Sequence, residues 1–144
     1  MNYVDKLSEI LHHKYSRQYN TLVVFEKLKE DLKELNQRFE LYFKASNNSI
    51  IDFEPKIAKC GERSVDSFDK ISVTIDGLER LIVCEIHTDY PGIFIYEPDY
   101  GRPILRIKPD GVDSVTILEF KEKIQTKDLL EIIIGNVFLI PNQY

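Results

Sequence analysis

From residue 49 to 125 apolar and polar positions alternate in short runs. Asp76-Gly77, Tyr90-Pro91-Gly92, Asp99-Tyr100-Gly101, Pro109-Asp110-Gly111 and the looser Lys59-Cys60-Gly61 divide them. Asp-Gly between two such runs is the strongest short-range hairpin signal, because a type I′ turn needs positive φ at both central residues. The predicted strands are Ile50 to Cys60, Phe68 to Asp76, Leu78 to Thr88, Ile93 to Glu97, Pro103 to Lys108 and Val112 to Lys123. Together they form an antiparallel meander. Ile71, Val73 and Ile75 alternate with Ser72 and Thr74, and Leu105 and Ile107 with Arg106 and Lys108, which gives those strands one wet face. Leu81-Ile82-Val83-Cys84 and Ile93-Phe94-Ile95-Tyr96 are apolar on both sides, so part of the second face is covered too.

The amino-terminal third has helical periodicity. Val4, Leu7 and Leu11, with Ile10 beside them, predict a short amphipathic helix over residues 3–16. A polar break at Ser16 to Asn20 follows. Phe25, Leu28, Leu32, Leu35, Phe39 and Tyr42 then recur at spacings of three and four, predicting a helix over 21–44. Asn20 or Thr21 would cap it, Glu34 with Arg38 and Glu40 with Lys44 would pair along it, and Asn47-Asn48-Ser49 would end it. Its seam runs less than three heptads, short for a self-sufficient coiled coil, so its stripe is assigned to the sheet as the apolar cover a one-sided meander needs. A homodimer through this helix or through the second sheet face is the alternative. Thr126 and Asp128 before Leu129-Leu130 predict a last helix ending at Gly135, with Val137 to Ile140 as strand or helix. The expected fold is a single α+β domain over 1–144: amino-terminal helices on a five- or six-stranded antiparallel meander, with a short carboxy-terminal helix.

The 144-residue chain carries 19 Lys and Arg against 24 Asp and Glu, a net charge of −5. This acidity opposes binding to nucleic acid, which needs a basic face to release counterions. The stretch from Leu129 to Ile140 is too short to span a bilayer, so no membrane association is expected. With no apolar leader at the amino terminus, the expected location is cytoplasmic and Cys60 and Cys84 are expected to be reduced core thiols.

Candidate chemistry is sparse. In the strand from Leu78 to Thr88 the period of two puts Glu85 and His87 on one face, where Tyr96 and Arg106 from later strands could join them as an acid–base or anion-binding group. Cross-strand charge pairing on a solvated face accounts for the same residues and is the preferred explanation. His12 and His13 are adjacent, so on a helix they diverge by about 100° and do not chelate together. Glu9 with His13 gives two ligands and no third, and neither metal nor cofactor is expected. Glu97-Pro98-Asp99-Tyr100-Gly101-Arg102-Pro103 is a rigid hairpin tip presenting Tyr100 and Arg102, residue types enriched in binding hot spots, and Tyr90 sits in a second such loop. Nucleotide, metalloprotease, hydrolase and EF-hand motifs are missing from the sequence. The expected function is therefore a small acidic protein-binding module of the immunity-protein, secretion-chaperone or inhibitor type. The alternative is a small enzyme or ligand-binding protein using Glu85, His87, Tyr96 and Arg106.

Overall fold

A computed structural model describes the backbone of residues 2–60, 63–99 and 101–139 and, of the side chains there, all but those of 55–69. Helix α1 runs from Tyr3–Arg38, a single element where the sequence predicts a break at residues 16–20. Ser, Gln and Asn cost a helix interior only fractions of a kcal/mol each, so a polar run without Gly or Pro does not stop it. The backbone does register the region, because Tyr15 leaves helical geometry at φ −126° and ψ 19° and kinks the helix. The first turn is capped by Asn2, whose Oδ1 accepts from the Asp5 amide at 2.8 Å. Thr21 is no cap; its hydroxyl donates to the Arg17 carbonyl one turn back at 2.8 Å. The true interruption is Phe39, after which α2 (Glu40–Ser46) continues to a left-handed cap at Asn47, φ 55°.

The sheet has seven strands in the order of the sequence, all antiparallel: β1 (Ile50–Cys60), β2 (Arg63–Ile75), β3 (Leu78–Glu85), β4 (Gly92–Tyr96), β5 (Leu105–Pro109), β6 (Ser114–Ile117) and β7 (Glu122–Gln125). The expected five or six becomes seven because Val112 to Lys123 holds two strands, turned at Leu118 to Lys121 with Lys121 at φ 52°. Asp76 and Gly77 both have positive φ, 51° and 84°, and join β2 to β3 by the predicted tight turn. The register of β1 on β2 shifts between Glu54 and Pro55, which suits a proline on an edge strand where a bulge interrupts the ladder. At the start of β4 a Cβ on Gly92 would lie 2.8 Å from the Ile107 carbonyl, so the close pairing of β4 and β5 depends on glycine there.

Alternation through the ladder brings Ile71, Val73, Ile82, Cys84, Ile93, Ile95, Leu105, Ile107, Val115 and Ile117 to one face. Over it lie Val24, Phe25, Leu28 and Leu32 of α1 and Leu129 and Ile133 of α3 (Leu129–Ile133). Gly135 does not end this last helix; a π turn over Ile134–Phe138 carries it on and buries Val137 and Phe138. Thr126 does not cap it either, since its hydroxyl donates to the Val112 carbonyl at 3.0 Å and pins the segment to the loop before β6. Of the predicted stripe in 21–44, the first three apolar residues are buried, Leu35 and Phe39 are half-buried, and Tyr42 is exposed. After the interruption at Phe39, Tyr42 faces outward while Phe43 is half-buried against the core. Cys84 is buried in the core; the side chain of Cys60 lies outside the described residues.

Candidate functional site

A helix of 36 residues is roughly 54 Å long at ~1.5 Å per residue, whereas the longest strand, β2 with 13 residues, spans about 43 Å at ~3.3 Å per residue. The amino-terminal part of α1 extends past the sheet. Every residue from Asn2 to Tyr15 is exposed, and the first buried one is Thr21. This overhanging arm carries the predicted amphipathic pattern, yet its apolar side has nothing on it. Tyr3 is 89% exposed, Val4 74%, Leu7 55%, Leu11 46%, Tyr15 52% and Tyr19 57%. Single exposed apolar residues are ordinary, but a contiguous row of this size marks an interaction surface.

The turn between β3 and β4 is held against the base of the arm. Arg17 donates through Nη1 to the Asp89 carbonyl at 3.3 Å, and the Tyr90 amide donates to the Thr88 hydroxyl at 3.2 Å. Tyr90 is 82% exposed, so this turn adds one more aromatic side chain beside the arm. At the second loop the Gly101 amide donates to Asp99 Oδ1 at 3.1 Å, and Ile104 closes the loop on the Ile95 carbonyl at 2.7 Å. Arg102 is exposed there, and Tyr100 lies outside the described residues.

On the sheet face away from α1, Leu81, Val83, Phe94 and Tyr96 form an apolar centre with Glu85 and Arg106 around it. Glu85 and Tyr96 are both half-buried. Burial pushes the Tyr96 phenol above its ordinary value, and the nearby Glu85 charge adds to the shift. Arg106 sits opposite Phe94 on the neighbouring strand, where Nε donates to Glu119 Oε2 at 2.7 Å. His87 lies beyond the end of β3 in an exposed bend. The structure thus places Glu85 and Tyr96 on one face at opposite ends of the β3–β4 ladder, engages Arg106 with the β6–β7 turn and leaves His87 apart from them.

Among the described residues, no group of three or more His, Cys, Asp or Glu is placed to hold a metal ion, and no helix is long and apolar enough to cross a membrane. An open hollow of about 720 Å³ lies between α2 and β1 and is lined by Glu40, Phe43, Lys44, Asn47, Ile50 and Ile51 among others. Comparison with protein-family models, with curated proteins and with solved structures finds no match.

The exposed arm is the feature that sequence periodicity misses. Periodicity finds a helix with an apolar side in residues 3–16 but does not say what that side meets. The readable signal is length: with no Gly or Pro between residues 3 and 38, the helix outruns any strand that follows it.

Proposed function

We propose that this chain is a small protein-binding module of the immunity-protein, secretion-chaperone or inhibitor type, acting in the cytoplasm through the arm of α1 with Tyr90 beside it. The observation that supports this reading is the uncovered apolar row from Tyr3 to Tyr19. Burying one large apolar side chain contributes about 1.5 to 3 kcal/mol, so a partner covering this row gains a surplus over the cost of association. Three exposed tyrosines on this part of α1, at positions 3, 15 and 19, are of a type that dominates interface energetics. Tyr100 and Arg102, in the loop between β4 and β5, are a second contact in this proposal. The module needs neither cofactor nor metal.

Replacing Leu7 and Leu11 together by Ser tests the proposal. Both side chains are exposed, so the melting temperature should stay within about 2 °C of the parent, while recovery of a partner from source-cell lysate should weaken at least about tenfold, or 1.4 kcal/mol. Undiminished recovery would remove the arm from the interface. A competing enzyme or ligand-binding reading draws support from Glu85 and Tyr96 sharing one half-buried sheet face. It would prevail if His87→Ala abolished an activity while the fold stayed intact.

A further inference from the structure

Three rows run along the arm at steps of three and four residues, each row following one side of the helix. Val4, Leu7 and Leu11 form the apolar row, with Tyr15 at its edge. Asp5, Glu9, His12 and Ser16 form a polar one. Tyr3, Lys6, Ile10, His13 and Arg17 form the third, and Lys14 lies between this row and the apolar one. One border of the apolar row is therefore basic, on a molecule whose net charge is −5.

The ion pairs of α1 and α2 sharpen the contrast. Lys27 pairs with Asp31 at 2.9 Å, Lys29 with Glu26 at 2.8 Å, Lys33 with Glu30 at 3.6 Å and Lys44 with Glu40 at 3.5 Å. Among the described residues Lys6, Lys14 and Arg17 have no such pair; Arg17 has only the Asp89 carbonyl. Lys14 and Arg17 also lack any acid three or four residues away on their own helix. Cations beside an apolar surface, with no acid of their own, are complementary to acids carried by whatever covers it.

We infer that the arm receives a partner helix whose apolar side is bordered by Asp or Glu, which lie against Lys6, Lys14 and Arg17. This deepens the protein-binding proposal and rests on it. A second copy of this chain laid antiparallel fits less well, because each border then meets its own equivalent, which sets basic on basic. An anionic membrane fits less well too, because Asp5 and Glu9 share the arm and the molecule as a whole is acidic.

The test uses two labelled synthetic helical peptides with the same Leu stripe, one bordered by Glu and the other by Lys, titrated with the full chain and followed by fluorescence anisotropy. The Glu-bordered peptide should bind at least about tenfold more tightly at ~50 mM salt and lose most of that preference at ~500 mM. Lys14→Glu with Arg17→Glu should reverse the order of the two peptides. Equal affinities would overturn the inference, as would no binding of the Glu-bordered peptide at about 100 μM, tighter binding to phosphatidylglycerol vesicles, or a dimer by sedimentation that Leu7→Ser with Leu11→Ser dissolves. If the peptides bind equally while the Leu7 and Leu11 variant still loses its cellular partner, the charge inference falls and the protein-binding proposal stands.

Discussion

At Arg80 the core face of the sheet carries a charge. The side chain lies opposite Val73 and is 7% exposed; Nη1 donates to the Glu79 carbonyl at 2.9 Å, and buried Nε has no partner among the described residues. A buried cation without a carboxylate is a net cost that an apolar residue of similar length avoids. Arg80→Met should therefore leave stability unchanged or raise it by about 1 kcal/mol in urea denaturation, and a loss beyond about 2 kcal/mol would mean that Arg80 has a stabilising contact worth more than its desolvation. Tyr96 gives a second measurement. Its phenol is raised in the folded state by burial first and by Glu85 second, so folding favours the neutral form. Stability from this group is complete below the unfolded value near 10 and is lost as pH rises from there through the higher folded value. Tyr96→Phe should flatten that part of the decline above about pH 10, and parallel curves for parent and variant would refute the shift. Neither environment is legible in the sequence. Arg80 stands next to an apolar run with nothing to show that it points inward, and the placement of Glu85 and Tyr96 on one face depends on the pairing of β3 with β4.

At the scale of elements, the local signals that survive are those with a backbone cause. Asp76-Gly77 makes the tight turn because both residues tolerate positive φ, and Asn47 ends α2 in the same left-handed region. The alternation of residues 71–75 in β2 and of β5 gives one more buried and one more polar face as expected. The signals that fail are those resting on polarity alone. Ser16 to Asn20 does not end α1, although Tyr15 just before it leaves helical geometry and kinks it, and Gly135 does not stop the last helix. The seam of residues 21–44 keeps its pattern throughout, yet its full burial stops at Leu32 and Leu35 is only half-buried against the core. Leu32, at 1% exposure, and Leu7, at 55%, are therefore one residue type on one helix with different expected costs. Leu32→Ala should lose about 2 to 5 kcal/mol, the range for a buried leucine, and Leu7→Ala less than about 0.5 kcal/mol, the range for a surface site. Similar losses at both positions would show that the arm is packed against something, contrary to its exposure.

Over the whole molecule, two regions should differ in stability by most of the folding free energy. Residues 71–138 and the second half of α1 share one cluster of buried side chains, so their slowest amides should open only with global unfolding, at about 5 to 15 kcal/mol for a domain of this kind. The arm draws nothing from that cluster. A helix of its length is marginal in water without tertiary contacts, and the kink at Tyr15 weakens its continuity with the packed half. Amides of residues 6–15 should accordingly exchange with opening free energies near zero to about 2 kcal/mol, while those of Ile82 and Ile95 show the global value. Adding the Glu-bordered peptide at saturation should raise protection over 6–15 and leave Ile82 and Ile95 almost unchanged, because the ligand orders only the segment that it covers. Protection of the free arm equal to that of the core would mean that the arm is already occupied, by a second copy or by its own sheet, and would withdraw it as a surface for partners.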